Sequence, residues 1–296
     1  MELNYIVTKN DNNKTIKDIL LSHFKISHRL LITLKKNNCI FLNNTPSYIY
    51  QTIKEKDNLT ISFNYEEDNS NIIPKEIFLD IVYEDDWYLI INKPAGIPVH
   101  PSILHYEDSL SNGIRFYFNK IGLKKKIRPV NRIDKDTSGL VVFAKNEYIQ
   151  ECLIRQMQTN DFVKEYIAIV EGFFDNDSKS GTINAPISRK ENSIIERCVT
   201  NSGQPSITHY EVIEEKQINN INISKVKCIL ETGRTHQIRL HMSYINHPLL
   251  GDDLYGGNLD LINRQALHSY RISFVHPINN NKVLYEAELP KDLCFL

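Results

Sequence analysis

The spacing of apolar residues predicts two helices and two strands at the start of the chain. Apolar residues recur at helical spacing in TIKDILLSHF, residues 15–24. A second helix is predicted in SHRLLITLKKNN, where Ser27 is placed to cap its start. The stretches CIFLNN and NLTISF predict strands at residues 39–44 and 58–63. We therefore expect residues 1–65 to form a small domain of their own.

A polar stretch without periodicity, YEEDNSNIIPKE, follows this unit. It carries Pro74 and has neither a helical nor a strand pattern, which is typical of a linker. We assign residues 66–75 to the linker and residues 76–296 to a second, larger domain.

Short strands dominate the pattern of the larger domain. They are predicted in IFLDIVYED, WYLIINK, GLVVFAK, KEYIAIVEG, INISKVKCILE, YRISFVHP and KVLYEAEL. Helices are fewer, one at residues 109–121, one at 146–159 and one beginning at Thr235. Because strands and helices do not alternate strictly, the pattern favours an α+β fold with a mixed, largely antiparallel sheet over a doubly wound fold.

The composition excludes several classes of protein. No run of about 18 apolar residues is present, and the first residues lack the order of a signal peptide, so we expect a cytoplasmic protein without a membrane span. The five cysteines are scattered and never spaced as C-x-x-C, which argues against a disulfide framework and a thiolate zinc site. They are predicted to be reduced core residues of a monomer.

Positive charge is concentrated in two segments, although the net charge is only −1. Residues 14–36 contain six Lys or Arg and one acid, and residues 120–135 contain seven and one. Such local patches can bind nucleic acid in a neutral protein. Solvated loops produce similar runs, so charge alone does not decide between the two interpretations.

The stretch RPVNRIDKDTSGLVVFAKN, residues 128–146, contains a candidate reactive carboxylate. The residues from Asp136 to Gly139 favour a turn with local side-chain hydrogen bonds. Asp134 lies outside that turn, between Arg132 and Lys135. It is either part of a surface bend or a catalytic acid.

A second unusual stretch is ETGRTHQIRLHM, residues 231–242, where a helix capped by Thr235 is predicted. Arg234, His236 and Arg239 crowd its start. Helix starts favour negative side chains, because the macrodipole places partial positive charge there. The crowding therefore indicates an anion opposite it, either a protein carboxylate or a phosphate, unless the end is simply solvated.

Other chemistries have little support in the sequence. His236, His241 and His247 are five and six residues apart, and no H-E-x-x-H is present, so no metal site is predicted. No G-x-S-x-G elbow, Walker motif or dinucleotide glycine pattern occurs, so no cofactor is predicted either.

A strand predicted in FVKEYIAIVEG places Lys164, Tyr166 and Ala168 on one face. Tyrosine is a good strand former, which favours a structural role for Tyr166. Its flanking lysine and small neighbour would also suit a surface on which a base stacks.

Taken together, these segments resemble the RluA family of pseudouridine synthases. The resemblance rests on NKPAGIPVHPS, NRIDKDTSGLVVFAKN, KEYIAIVEG, ETGRTHQIRLHM, HPLLGDDLYGG and RQALHSYRISFVHP, six motifs in the family's order. It implies that Asp134 is the catalytic aspartate and that Arg132 fills the gap left by a flipped nucleotide. It also implies that Tyr166 packs against the target base and that Arg234 pairs with the catalytic acid. The family's signature begins H-R-L-D, whereas this chain has Asn131 at the histidine position, a departure that bears on how the loop is supported.

The first domain resembles an S4-like RNA-binding domain, which implies RNA contacts from Lys25, Arg29, Lys35 and Lys36. The family's reaction would isomerise uridine to pseudouridine in structured RNA, with no cofactor or metal. Large-subunit ribosomal RNA is the favoured substrate, and transfer RNA is the alternative. A non-catalytic RNA-binding protein that kept the fold is a competing hypothesis, and a hydrolase using Asp134 and Asp136 is a more distant one. Whether Asp134 attacks covalently or removes a ribose proton stays open.

Overall fold

The computed structural model describes residues 1–159 and 161–294. The first part of the chain forms β1 (Glu2–Ile6), α1 (Ile16–Ser22), α2 (His28–Lys36), β2 (Ile40–Leu42), β3 (Thr45–Pro46) and β4 (Asn58–Ser62). Its four strands make an antiparallel sheet in the order β1-β4-β2-β3. The two helices and the strands β2 and β4 lie where the apolar spacing predicts them, and β1 is an addition.

Side-chain caps fix where the two helices begin. The Thr15 hydroxyl accepts the backbone N–H of Asp18, whose carboxylate accepts the backbone N–H of Thr15, which makes a capping box at the start of α1. The predicted cap Ser27 accepts the backbone N–H of Leu30 at the start of α2. Both helices bury their apolar faces in one core with the sheet, through Ile16, Ile19, Leu20, Leu30, Leu31 and Leu34.

No helix or strand lies between β4 and residue 81, as expected of the predicted linker, but the segment is packed and not free. Glu67 accepts a 2.8 Å hydrogen bond from Arg128, and each of these side chains is only 9% exposed. Buried Lys125 donates to the backbone carbonyl of Tyr65, and the side chain of Asn69 donates to the carbonyl of Lys125. The predicted linker is therefore bonded to residues 125–128, and one hydrophobic core continues across the predicted boundary between the domains.

The same contacts show how much of the second basic run is open to solvent. Arg128 is paired with Glu67, and Lys125 is buried. Lys124 is exposed and lies 2.7 Å from Glu66. Two of the seven cations are thus enclosed within the protein.

The larger domain is built mainly from strands, as predicted. Its elements are β5 (Ile81–Glu84), β6 (Tyr88–Lys93), α3 (Leu110–Lys120), β7 (Arg128–Pro129), β8 (Ser138–Ala144), α4 (Glu147–Gln158), β9 (Val163–Glu171), β10 (Ser180–Asn184), β11 (Ile187–Arg189), β12 (Arg197–Val199), β13 (Ile207–Ile218), β14 (Ile221–Leu230), α5 (Gln237–Tyr244), β15 (Leu267–Val275) and β16 (Lys282–Glu286).

Ten of these strands form one sheet. Eight follow the order β10-β13-β14-β9-β15-β8-β6-β5, with β16 beside β15 and β7 beside β8. Every neighbouring pair is antiparallel except β15 and β8. The predicted α+β class with a mixed, largely antiparallel sheet is confirmed. The sequence pattern missed β7 and β10 to β13. In β13 only one of the twelve residues is buried, so this strand lacks the alternation of buried and exposed positions that identifies a strand.

The single parallel pair lies at the centre of the sheet and is short. β15 meets β8 at Ser138 and Gly139, and Ser269 is the partner of Gly139. On its other side Ser269 is the partner of Tyr166 in β9. Three neighbouring strands therefore bring the loop before β8 and the side chain of Tyr166 to the same region.

The first domain packs on α4 of the larger one. The ring of Phe63 stacks on Tyr148 with centroids 5.7 Å apart, and Ser27 donates a 2.5 Å hydrogen bond to Glu151.

Among the described residues no helix is both long and apolar enough to cross a membrane. All five cysteines are free thiols, and Cys294 is exposed, contrary to its predicted core position.

We predict that Gly139→Ala destabilises the protein strongly. Gly139 has φ of +109°, and a Cβ there would lie 2.3 Å from the carbonyl oxygen of Ser269. We expect the free energy of unfolding to fall by about 3 kcal/mol or more in denaturant titrations. Gly122→Ala is the matched control, because Gly122 has φ of +72° with nothing within 4 Å; it should cost only about 1 kcal/mol. Equal losses in both variants would contradict the importance of the close approach.

Candidate active site

A cleft of about 930 Å³ opens beside the start of β8. Its walls come from the loop before β8, from β9 and from the segment that leads into α5. All four substrate and catalytic residues singled out in the larger domain line it, namely Arg132, Asp134, Tyr166 and Arg234. The fold therefore brings together side chains that lie up to about a hundred residues apart in the sequence.

Asn131 ties the loop that carries Asp134 to the sheet. Its side chain is buried, donates a 3.2 Å hydrogen bond to the carbonyl of Leu140 and accepts a 2.9 Å hydrogen bond from the backbone N–H of Val142. An amide can donate and accept at the same time. Asparagine therefore supplies support at the position where the signature of the resembling family has histidine.

Lys93 holds the other side of this loop. Its ammonium group is buried and donates to the carbonyls of Pro94, Ile97 and Lys135 at 2.7 to 2.9 Å. Burial lowers the pKa of Lys93 to about 7. The bond to Lys135 fixes the backbone directly after Asp134, a role that no spacing in the sequence indicated.

The Asp134 carboxylate is paired with Arg239, which lies in α5. The Nη1 atom of Arg239 is 3.2 Å from Oδ2 of Asp134. The other edge of the guanidinium, formed by Nε and Nη2, donates two 2.7 Å hydrogen bonds to Asp252, whose side chain is fully buried. Although burial opposes it, these carboxylates raise the pKa of Arg239 above its ordinary value. Arg239 is therefore a fixed cation beside the candidate catalytic acid.

The prediction that Arg234 pairs with Asp134 is wrong. Arg234 lies before the helix, its side chain is exposed, and its Nε atom donates to the carbonyl of Pro205 at 3.3 Å. Arg239 lies in the first turn of the helix, on the side that faces the loop of Asp134. The cations at the helix start do have an anion opposite them, but Arg239 is the residue that meets it.

The predicted cap at Thr235 is also wrong, because α5 begins two residues later, at Gln237. The Gln237 side chain folds back and accepts the backbone N–H of Arg234 at 3.0 Å. His236 takes the left-handed conformation, with φ of +59°. This turn moves Arg234 away from the loop of Asp134.

His236 borders the same carboxylate. Its Nε2 atom lies 3.8 Å from Oδ2 of Asp134, and its Nδ1 atom shares a 2.9 Å hydrogen bond with the hydroxyl of Tyr255. Burial lowers the pKa of His236, so the neutral ring is favoured at pH 7. Arg239 is thus the permanent cation at the Asp134 carboxylate, and His236 is a neutral neighbour.

Tyr166 and Lys164 project from β9 into the cleft, as the strand pattern predicts. Both are buried, and burial raises the pKa of Tyr166 and lowers that of Lys164. Arg132 is exposed, and no ion pair holds it within residues 1–159 and 161–294. The cleft therefore offers an aromatic ring inside and an exposed arginine at its edge.

The predicted RNA-binding residues of the first domain are exposed. They are Lys25, Arg29, Lys35 and Lys36. Arg29 lies 3.5 Å from Glu147 of α4, a helix whose Gln150 and Met157 line the cleft. One helix therefore contacts both the first domain and the cleft.

The other histidines singled out in the sequence have structural contacts. Buried His241 bonds to the hydroxyl of Thr208 and the carbonyl of Ala185. His247 bonds to the carbonyl of Glu171. In the part of the chain that the structure describes, no group of His, Cys, Asp and Glu is arranged to hold a metal ion.

Buried His268 fixes the first residue of β8. Its Nε2 atom donates to the carbonyl of Ala287 at 3.1 Å, so Nδ1 accepts from the hydroxyl of Ser138 at 2.9 Å. Burial lowers the pKa of His268 to about 4. The neutral ring is therefore the form that supports the end of the Asp134 loop.

Residues 87–244 match the family model described as RNA pseudouridylate synthase. The chain belongs to this family. It is 39% identical to the uncharacterized RNA pseudouridine synthase YjbO of Bacillus subtilis, over 90% of this chain and 93% of that protein. It is 35% identical to ribosomal large subunit pseudouridine synthase D of Neisseria meningitidis, over 88% of this chain and 71% of that protein.

The fold agrees with this membership. The solved structure of human RNA pseudouridylate synthase domain containing 1 matches 72% of this pseudouridine synthase and 84% of the human chain, with a TM-score of 0.60 and 26% identity. The enzyme class predicted from the sequence, an RNA pseudouridine synthase, is confirmed. The matched segment contains the loop of Asp134, the strand of Tyr166 and the helix of Arg239.

Substituting the two arginines separately distinguishes their roles. Arg239→Gln leaves the buried Asp252 carboxylate without its cation, so we expect the free energy of unfolding to fall by about 3–5 kcal/mol. Arg234→Gln is the matched control and should change it by no more than about 0.5 kcal/mol. Denaturant unfolding at pH 7 measures both. A similar loss in the two variants would refute the assignment of the buried pair to Arg239.

His268 should make the synthase less stable in mild acid. Its pKa of about 4 in the folded protein lies below its ordinary value of 6.5, so the unfolded chain takes up the proton first as the pH falls. Above pH 6.5 the neutral ring therefore contributes about 3 kcal/mol to the free energy of unfolding, and this contribution is lost as the pH falls towards 4. Unfolding free energies measured at several pH values should therefore fall less steeply in His268→Gln than in the wild type. Exposed His28→Gln is the control, and equal slopes in all three proteins would exclude the effect.

Proposed function

We propose that this enzyme converts uridine to pseudouridine in large-subunit ribosomal RNA, with Asp134 as its catalytic carboxylate. The observation that carries the proposal is the ion pair between Asp134 and Arg239 in the cleft that also holds Tyr166. The substrate is inferred from relatives named as ribosomal large subunit pseudouridine synthase D. Transfer RNA is the alternative substrate.

The reaction breaks the bond from C1′ of the ribose to N1 of the base, rotates the base, and joins C5 to C1′. A carboxylate beside the ribose can act as a nucleophile or as a base, and either role needs its ionised form. The guanidinium of Arg239 lies 3.2 Å from this carboxylate and places a fixed positive charge beside it. The Asp134 side chain is 26% exposed, so a substrate can reach it.

The target nucleotide must leave its stack before it can enter the cleft. Extrusion of a base costs a few kcal/mol. Stacking on an aromatic ring returns about 1–3 kcal/mol per base, which Tyr166 would supply. Arg132, exposed at the edge of the cleft, would fill the gap that the nucleotide leaves in the RNA.

We further propose that the first domain is an S4-like module that binds the RNA beside the cleft. Its exposed Lys25, Arg29, Lys35 and Lys36 are placed for contacts with the phosphate backbone. The contact between α2 and α4, a helix that also lines the cleft, supports this arrangement. A monomeric state and a cytoplasmic location remain predictions from the sequence.

The non-catalytic alternative rests on Asn131 and on the separate basic first domain. Both hydrogen bonds of the Asn131 side chain support the loop of Asp134, which argues against the first of these two grounds. The hydrolase alternative needs Asp136 as well as Asp134, but of these two carboxylates it is Asp134 that pairs with Arg239.

We predict that Asp134→Asn binds RNA but releases no tritium from C5-labelled uridine. The probe is large-subunit ribosomal RNA transcribed in vitro with labelled uridine. Removing the carboxylate should lower the rate by at least about 10²-fold, because neither a nucleophile nor a base remains. Asp136→Asn is the matched control and should keep most of the activity. Turnover by Asp134→Asn would remove this residue from the mechanism, and loss of turnover in both variants with free uracil released by the wild type would favour a hydrolase.

A further inference from the structure

A second pocket of about 440 Å³ adjoins the active cleft. Three arginines line it, namely Arg189, Arg197 and Arg234. It shares Gly233, Arg234 and Thr235 with the cleft, so the two spaces have a common wall. No acidic residue is among the described residues that line it.

The two arginines of the hairpin face each other. Arg189 of β11 is the direct cross-strand partner of Arg197 of β12. Like charges in this position reduce the stability of a strand pair. The nearby Glu196 could neutralise one of them, but its carboxylate lies 2.9 Å from Lys190 instead. Two arginines therefore extend from directly opposite positions of the hairpin and line the same pocket.

None of the three arginines pairs with a carboxylate among the described residues. Arg197 donates to the carbonyls of Ile195 and Glu196 at 3.2 Å, and Arg234 donates to that of Pro205 at 3.3 Å. Arg239, in contrast, meets two carboxylates. The pocket thus lacks the counter-charge that the neighbouring site has.

The pocket is coupled to the active site by a short chain of contacts. The backbone N–H of Arg197 donates to the hydroxyl of Tyr255 at 2.9 Å. That hydroxyl also bonds to Nδ1 of His236, whose Nε2 lies 3.8 Å from the Asp134 carboxylate. An anion in the pocket would therefore be held at a fixed place relative to Asp134.

We propose that this pocket binds a backbone phosphate of the RNA next to the target uridine. The proposal rests on the proposed function. The planar fork of a guanidinium matches the geometry of a phosphate and can bond to it in a bidentate manner. Phosphate contacts fix the register of a nucleic acid without reading its sequence. In this arrangement Arg234 binds the RNA backbone, while Arg239 pairs with the catalytic acid.

The salt dependence of RNA binding tests the proposal directly. Each lost phosphate contact reduces the slope of log affinity against log salt by about 0.7 to 0.9. When the double variant Arg189→Gln/Arg234→Gln binds in-vitro-transcribed large-subunit ribosomal RNA, we expect this slope to be smaller than in the wild type by at least about 0.7. The matched control, Lys282→Gln/Lys291→Gln, removes two exposed charges elsewhere and should keep the slope of the wild type.

Kinetics separate this proposal from the proposed function. In the tritium-release assay we expect the KM of the double variant to rise about tenfold and kcat to fall by much less, because a positioning contact to the phosphate backbone is lost. A slope and a KM equal to those of the control variant would overturn the phosphate pocket while the synthase activity stands. No turnover by the wild type would overturn the proposed function, and a reduced slope in the double variant would still support the pocket. Thermal unfolding checks that the variants are folded. If the double variant is not folded, Arg189→Gln alone is compared with Lys282→Gln. The single variant should then show a smaller salt slope and a higher KM than its control.

Discussion

The guanidinium of Arg239 is the group on which the active site depends. A buried cation is costly unless carboxylates neutralise it, and Asp252 does so with two 2.7 Å hydrogen bonds. This bidentate contact fixes the plane of the guanidinium and directs Nη1 towards Asp134. The position of the candidate catalytic acid is thus set from α5 as well as from its own loop, and its carboxylate always faces a cation whose pKa is raised.

The central sheet provides the second constraint. Its one parallel pair sets the start of β8 against β15, where a residue larger than Gly139 would collide with the carbonyl of Ser269. Ser269 is also the neighbour of Tyr166, so the aromatic ring and the acid loop approach each other across three strands. Lys93 and Asn131 then fix the loop from either side, and the partly exposed Asp134 carboxylate faces the cleft. Rigid supports of this kind are what preorganised catalysis requires.

Much of this arrangement could be predicted from the sequence, but its electrostatic partners could not. Periodicity located most helices and strands, and the strand pattern placed Tyr166 on the cleft side. The loop that carries Asp134 was identified by its charged residues and by its resemblance to a known motif. The sequence did not show which cation meets Asp134, because that depends on where α5 begins. A helix starting at Gln237, after a left-handed residue, turns Arg239 inwards and leaves Arg234 outside. Spacing alone contains neither the start nor the phase of that helix.

The same limit applies to the contacts of the predicted linker. Polar residues without periodicity are typical of a free linker, but Glu67 is bound to Arg128, which lies far from it in the sequence. The account as a whole stands on one spatial relation, the approach of a ribose to the Asp134 carboxylate. A crystal structure of Asp134→Asn bound to its target RNA measures this relation directly. We expect the uridine to be turned out of its stack, with C1′ beside residue 134 and the base against Tyr166. A uridine still stacked in the RNA, or bound outside the cleft, would contradict the account.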